Sequence, residues 1–177
     1  MREQDKVRQL VLTAMMMCMT MVMTFIIRIP IPATQGYIHL GDSMVYLSVI
    51  FLGWKYGAVA AGVGAAMADL LAGYAQYIPV TFAAKAVMAI IVGIAFQKIA
   101  EKNMEGAKAT TIKIVAMAVA GLVMVAVYYA AEVFMYGNIL TPLVAVPMNC
   151  LQFAVGGVLA LAMTKALKGI RVGKTQF

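Results

Sequence analysis

Charged residues are scarce in this chain. Only 12% of its 177 residues are Asp, Glu, Lys or Arg, whereas 64% are hydrophobic; ordinary soluble domains carry roughly 25% charged residues. A water-soluble core cannot bury that much apolar surface, which excludes a soluble globular protein. A membrane-spanning helix needs about 20 apolar residues. The length therefore allows six spans in one membrane domain over 1–177, without room for a second domain.

Metal-ligating residues are equally few. The chain has one histidine, His39, and two cysteines, Cys18 and Cys150, which both lie in apolar segments. A structural zinc site needs four protein ligands, and no second His or neighbouring Cys completes such a set. We therefore expect neither a metal site nor a disulfide framework. His39 is expected to form hydrogen bonds within a loop.

A nucleotide-binding loop is also missing. The nearest match, G-I-R-V-G-K-T at Gly169–Thr175, is one residue short of the phosphate-loop spacing, with no strand before it and no helix after it. His39, Asp42 and Ser43 are residue types of a catalytic triad, but they are too close in sequence to adopt its geometry. The sequence thus predicts no ATPase site, no enzymatic activity and no cofactor.

Long apolar runs are abundant, and they predict an all-α, polytopic membrane protein. The six predicted spans are 7–29, 40–52, 58–75, 80–96, 112–136 and 139–167, followed by a charged tail at 168–177. Pro30 and Pro32 end the first span, and a loop at 30–39 follows. The second run is short for a span and carries Asp42. The sequence G-W-K-Y-G at Gly53–Gly57 is typical of a tight turn at the membrane interface.

The basic residues predict the orientation. With six spans, every Lys and Arg except Arg28 and Lys85 falls on one side, which also holds both termini, the turn at Lys55 and the polar segment 97–111. Cytoplasmic loops carry an excess of Lys and Arg. Both termini are therefore predicted to be cytoplasmic, in the cell membrane of a prokaryote. The first run is too long for a signal-peptide core and is expected to stay as the first helix.

Ionisable residues within spans are costly and indicate a partner, a water-filled cavity or a ligand site. In the predicted topology they lie in the outer part of the membrane, which favours a pocket open to the outside. On the fifth span Tyr128, Glu132 and Tyr136 recur every four residues and share one face. Aromatic walls with a few polar groups suit a small planar ligand. The candidate ligand-binding residues are His39, Asp69, Lys85, Tyr128, Glu132, Tyr136, Asn149 and Gln152.

Several of these residues have alternative interpretations. Asp69 and Lys85 could form a structural ion pair, or Lys85 could contact the ligand. Asp42 is expected to cap the second helix through its early backbone N–H groups. The tyrosine face could be interfacial packing. Asp69 or Glu132 could also relay protons in a self-sufficient secondary transporter.

Three stretches resemble one family. They are Y-I-H-L-G-D-S at Tyr37–Ser43, A-D-L-L-A-G-Y at Ala68–Tyr74, and Y-I-P-V-T at Tyr77–Thr81 with Lys85 following. In this order, and with the six-span pattern over 7–167, they are similar to the S component of an energy-coupling-factor (ECF) vitamin transporter. The branch that handles hydroxymethylpyrimidine, pyridoxine and riboflavin is the most similar.

The resemblance implies a division of labour. S components of this type capture a vitamin at the outer side and associate with a transmembrane coupling subunit and two ATPase subunits, which hydrolyse ATP. The implied ligand is a pyridoxine or hydroxymethylpyrimidine compound, with riboflavin as the alternative. Ala14 and Cys18 form a small-x-x-x-small face that would dock the coupling subunit. The proline-containing loop after the first span would close the pocket, and the whole subunit would topple in the membrane to deliver the ligand.

Overall fold

Five long helices and a small β-hairpin make up the part of the chain that the computed structural model describes, residues 3–166, 171–172 and 175–176. The helices are α1 (Glu3–Ile26), α2 (Asp42–Ala72), α3 (Ile78–Glu101), α4 (Gly106–Tyr136) and α5 (Ala145–Ala166). Short 3-10 turns at Ala75–Tyr77 and Thr141–Val144 precede α3 and α5. All five helices are long and apolar enough to cross a membrane.

Most of the predicted tail and the G-I-R-V-G-K-T segment lie outside the described residues. Within the tail, Arg171–Val172 and Thr175–Gln176 form an antiparallel pair of two-residue strands. The two strands are named β3 and β4.

The loop predicted at 30–39 is a β-hairpin, which the all-α prediction missed. Helix α1 ends at Ile26, earlier than the predicted Ile29, and Arg28–Ile31 (β1) pairs antiparallel with Gly36–His39 (β2). Pro30 and Pro32 prevent the helix from continuing. Pairing the two extended segments satisfies their backbone N–H and C=O groups, which matters where little water is available.

Helix α2 combines the second and third predicted spans around a break at Gly53, which has φ 74° and ψ 176°. A Cβ on Gly57 would lie 2.8 Å from the Val49 Cα. In a continuous helix, residues eight positions apart are separated by about 12 Å along the axis. The Ser48 hydroxyl also donates to the Gly57 carbonyl at 3.2 Å. The chain therefore folds back on itself at Gly53, where the sequence predicts a turn.

The arm of α2 before Gly53 is short and central. Its 42–52 stretch spans only about 16 Å at 1.5 Å per residue, against a hydrocarbon core of about 30 Å. Residues 42–49 are all buried. Because the other helices surround this arm, it does not need the length of a lipid-exposed span. The number of membrane crossings stays a prediction, since five elements meet the length and hydropathy requirements.

Small residues let the second arm of α2 pack closely on both sides. A Cβ on Gly64 would lie 2.5 Å from the Met17 carbonyl oxygen of α1, and one on Gly62 would lie 3.1 Å from the Phe82 ring of α3. Ala68 is fully buried. Close backbone approach of this kind replaces hydrophobic association between helices within lipid.

Candidate functional site

A small cavity lies beneath the hairpin, at the end of the bundle where α1 and α4 finish and α2, α3 and α5 start. Its volume is about 30 Å³, enough for water but well below the roughly 300 Å³ of a small-molecule pocket. Six of the eight predicted ligand-binding residues line it: His39, Asp69, Tyr128, Glu132, Asn149 and Gln152. The other lining residues are Ile31, Gly36, Tyr37, Tyr77 and Thr81.

Tyrosine hydroxyls bind the hairpin to the helices. Tyr37 of β2 donates to the Asp69 Oδ1 at 2.5 Å. Burial and the nearby Asp69 carboxylate raise the pKa of Tyr37, so this phenol stays a proton donor. The Tyr77 hydroxyl lies 2.7 Å from the Thr34 carbonyl in the hairpin turn. The Tyr136 hydroxyl donates to the same carbonyl, which places Tyr136 behind Tyr77 rather than on the cavity wall.

Glu132 projects from α4 into the cavity and is only 3% exposed. Its Oε1 lies 3.1 Å from the Tyr77 hydroxyl. Its Oε2 has no hydrogen-bond partner among the described residues. On the same helix, Tyr128 donates to the Thr81 Oγ1 of α3 at 2.9 Å. The predicted shared face of Tyr128 and Glu132 is thus confirmed, and it points inward.

Lys85 pairs with Asp42, and the predicted Asp69–Lys85 pair is wrong. The Lys85 Nζ lies 2.5 Å from the Asp42 Oδ1, and both side chains are fully buried. The expected capping role of Asp42 is also wrong, because no side-chain cap bond forms at the start of α2. The short arm of α2 places Asp42 in the middle of the bundle facing α3. A buried charge there requires an opposite charge.

The ion pair lies next to the cavity but does not line it. Gln152 of α5 donates through Nε2 to the second Asp42 oxygen, Oδ2, at 3.1 Å. The Lys85 Nζ lies 5.6 Å from the centre of the Tyr128 ring and 2.8 Å from the Met124 Sδ. Lys85 therefore supports the Tyr128 wall from behind.

His39 forms hydrogen bonds within the connection between β2 and α2, as predicted. Its Nδ1 accepts from the Gly41 N–H at 3.0 Å, and its backbone N–H donates to the Gln152 Oε1 at 3.0 Å. Burial and the positive charge of Lys85 lower the pKa of His39 to about 3. The imidazole is therefore neutral at physiological pH. The described ranges contain no group of three metal-ligating side chains.

Tyr37 and Tyr77 are wall residues that sequence reasoning did not select. Both lie outside the long helices, in β2 and in a 3-10 turn, where helical spacing assigns no face. Their one signal was their place in two of the stretches that carry the family resemblance. The sequence reveals neither tyrosine's hydroxyl partner, because these contacts join distant segments.

The outer face of α1 carries the predicted docking residues. Ala14 and Cys18 are exposed, whereas the buried face of this helix consists of Thr13, Met16, Thr20 and Thr24. The small-residue face is therefore not used for packing within the chain.

Comparison with known proteins supports the resemblance. Residues 4–169 match the family model for "ECF-type riboflavin transporter, S component". Over 72 residues the chain is 43% identical to the "Uncharacterized protein in gap 3'region" of Pyrococcus woesei. That alignment covers 41% of this chain and 48% of the relative, so the chain spans about half the length of the curated relative that it matches.

Two solved structures share the fold. The S component of a bacterial ECF transporter superposes with a TM-score of 0.69 and 19% identity, covering 92% of this chain and 96% of that one. The S component for biotin from an ECF-type ABC transporter gives 0.67 and 19%, covering 93% and 95%. Together with the family match over nearly the whole chain, these findings show that the protein is a membrane-embedded member of the S-component family of ECF-type vitamin transporters.

Proposed function

We propose that this S component captures a small heteroaromatic vitamin or vitamin precursor, of the pyridoxine or hydroxymethylpyrimidine type, in the cavity beneath the hairpin. The observation that carries the proposal is the convergence of aromatic rings on a buried, half-unpaired carboxylate. Tyr37, Tyr77 and Tyr128 supply flat apolar walls, and Glu132 supplies an acceptor. Pockets with this combination orient planar polar rings.

Riboflavin is the alternative ligand, because the matching family model is described by that vitamin. The cavity of about 30 Å³ favours the smaller rings, since a larger ligand demands a larger displacement of the surrounding side chains. A single-ring compound needs the smaller rearrangement.

The hairpin is the element that we expect to move when the ligand enters. It is attached at its β2 end by Tyr37 to Asp69 and by His39 to Gln152, and at its turn by Tyr77 to the Thr34 carbonyl. Ile31 and Ile38 of the hairpin also pack on Ala145 and Met148 of α5. Opening would break these contacts, and closing over a ligand would restore them.

The proposed orientation has six crossings, both termini in the cytoplasm and the hairpin outside. The reversal at Gly53 supports it, because the chain then alternates direction from α1 through both arms of α2 to α5. The distribution of Lys and Arg favours the same orientation. The cavity would open toward the exterior of a prokaryotic cell.

The proposed partners are a transmembrane coupling subunit and two ATPase subunits, which would supply the energy for transport. We place the coupling subunit against Ala14 and Cys18 because this α1 face is exposed and made of small side chains. Small residues allow a partner helix to approach closely.

Binding by the purified chain tests the capture function. Titration calorimetry with pyridoxine, hydroxymethylpyrimidine and riboflavin should show binding without any partner subunit. Asn149→Ala and Tyr128→Ala should weaken it by about tenfold or more, the usual cost of losing a central contact. Tyr129→Ala is the matched control, since the Tyr129 hydroxyl bonds the Ile139 carbonyl on the outside of α4. Unchanged affinity in both cavity variants would place the ligand elsewhere.

Vitamin uptake by cells tests whether transport needs the proposed partner subunits. Vitamin uptake should require the coupling and ATPase subunits, and Ala14→Trp should abolish uptake while leaving the affinity of the purified chain unchanged. Uptake without the ATPases would instead favour a proton-coupled secondary transporter that uses Asp69 or Glu132. Normal uptake by Ala14→Trp would exclude the α1 face as the docking surface.

A further inference from the structure

The cavity wall carries two acidic side chains, and no Lys or Arg among the described residues lines it. Asp69 and Glu132 both line it. The nearest buried cation, Lys85, does not line it and pairs with Asp42. Arg28 stacks on Phe25 and lies 5.8 Å from the Tyr37 ring, and it does not line the cavity. His39 is neutral, because burial and Lys85 lower its pKa to about 3.

The two carboxylates are not equally satisfied. Each has one oxygen without a partner in the described part of the chain, the Asp69 Oδ2 and the Glu132 Oε2. The other Asp69 oxygen accepts a short hydrogen bond from Tyr37. The other Glu132 oxygen lies 3.1 Å from the Tyr77 hydroxyl, which is closer, at 2.7 Å, to the Thr34 carbonyl. Most buried polar atoms have a partner, and a carboxylate oxygen without one is costly. The free oxygen of Glu132 is therefore suited to a donor that arrives with the ligand.

Few donors on the cavity wall could satisfy that oxygen instead. The Tyr128 hydroxyl donates to Thr81, the Tyr37 hydroxyl to Asp69, and the Gln152 amide to Asp42. Asn149 is the other amide side chain on the wall. Three tyrosine rings also line the cavity, and an aromatic π face attracts a cation and not an anion. Charge and hydrogen bonding thus favour the same kind of ligand.

We propose that Glu132 determines the charge selectivity of the site, and that the site accepts heteroaromatic ligands carrying a protonated nitrogen or an N–H donor while rejecting their phosphorylated forms. This inference rests on the proposed capture function. A phosphate in the cavity would face two carboxylates at short range where water screening is weak. A protonated amine would form a charge-assisted hydrogen bond with the Glu132 Oε2.

The test is a ligand series in which the ring is fixed and a substituent is an amine, an alcohol or a phosphate. The first set is pyridoxamine, pyridoxine and pyridoxine 5′-phosphate. The second set is 4-amino-2-methylpyrimidine with an aminomethyl, hydroxymethyl or phosphooxymethyl group. The third set is riboflavin and riboflavin 5′-phosphate. Titration calorimetry at pH 7 on the purified full chain should give affinities in the order amine, alcohol, phosphate. The amine should bind about 10- to 100-fold more tightly than the phosphate, the range for hydrogen bonds to charged groups.

Glu132→Gln keeps the size of the side chain and removes its charge. It should weaken binding of the amine by about 10- to 100-fold and weaken binding of the alcohol less. The difference in affinity between the amine and the phosphate should become smaller. Glu101→Gln is the control, because Glu101 is an exposed carboxylate bonded to Gln97 at the other end of α3. It changes net charge equally and should leave the order of affinities intact.

The outcomes separate the two proposals. If the phosphate binds as tightly as the alcohol in the parent protein, charge selectivity is overturned while vitamin capture stands; this comparison needs no variant to fold. An unchanged order of affinities in a folded Glu132→Gln protein would exclude Glu132 as the selecting residue. If no member of the three sets binds, the proposed function fails and this inference fails with it.

Discussion

Removing one member of the Asp42–Lys85 pair should destabilise the protein far more than removing both. The two side chains are fully buried, and the pair joins α2 to α3. Asp42→Asn keeps the shape of the side chain and leaves Lys85 as a charge without a counterion. Lys85→Met keeps most of the volume and leaves Asp42 held only by Gln152. An uncompensated buried charge costs about 3–5 kcal/mol.

The double variant has no isolated charge. Replacing a buried ion pair with neutral groups of similar size is often neutral or stabilising, so Asp42→Asn with Lys85→Met should lie close to the parent. The coupling free energy would then be about 3 kcal/mol or more, well above the roughly 0.5 kcal/mol expected for independent sites. For a chain of this size about 1 kcal/mol shifts the melting temperature by about 2–4 °C, so each single variant should melt roughly 6–20 °C lower.

The assay is a double-mutant cycle scored by thermal unfolding in detergent. Asp69→Asn combined with Lys85→Met is the matched control cycle, because Asp69 bonds Tyr37 and not Lys85. Its coupling should be clearly smaller. Strict additivity in the Asp42 cycle would refute the pairing and the packing of the first arm of α2 against α3. Stronger coupling in the Asp69 cycle would restore the pair predicted from the sequence.

Two further predictions concern the hairpin and the topology. The pKa of His39 is about 3 in the folded protein and about 6.5 when unfolded. Between these pH values only the unfolded state binds a proton at His39, so the free energy of unfolding falls as the pH decreases below 6.5. From pH 7 to 5 the protein should lose about 2 kcal/mol of stability, seen as a lower melting temperature. His39→Asn, which keeps an acceptor for the Gly41 N–H, should remove that loss. An equal pH response in parent and variant would contradict the prediction. For topology, in a chain without Cys18 and Cys150, a membrane-impermeant maleimide should label Ala33→Cys in intact cells and Lys55→Cys only after lysis. Labelling of both in intact cells would mean that the 42–52 arm does not cross.

The sequence determined the environment and the broad layout of this protein. Hydropathy and charge predict helices in a membrane, and the glycines of the Gly53–Gly57 segment correctly mark the turn within α2. Periodicity within one helix correctly places Tyr128 and Glu132 on a common inward face. These are local properties, set by the side chains that are neighbours along one helix.

Tertiary structure decided which groups from different segments meet. Asp42 is near Lys85 only because the first arm of α2 turns at Gly53 and lies centrally in the bundle. Spacing along the chain favoured Asp69, which is closer to Lys85 in sequence but bonds Tyr37 of the hairpin. The strand pairing of the hairpin likewise could not be predicted from the sequence, because four-residue strands carry too little periodicity. Partner choice for a buried charge depends on burial and distance across the bundle, and these exist only once the helices have packed.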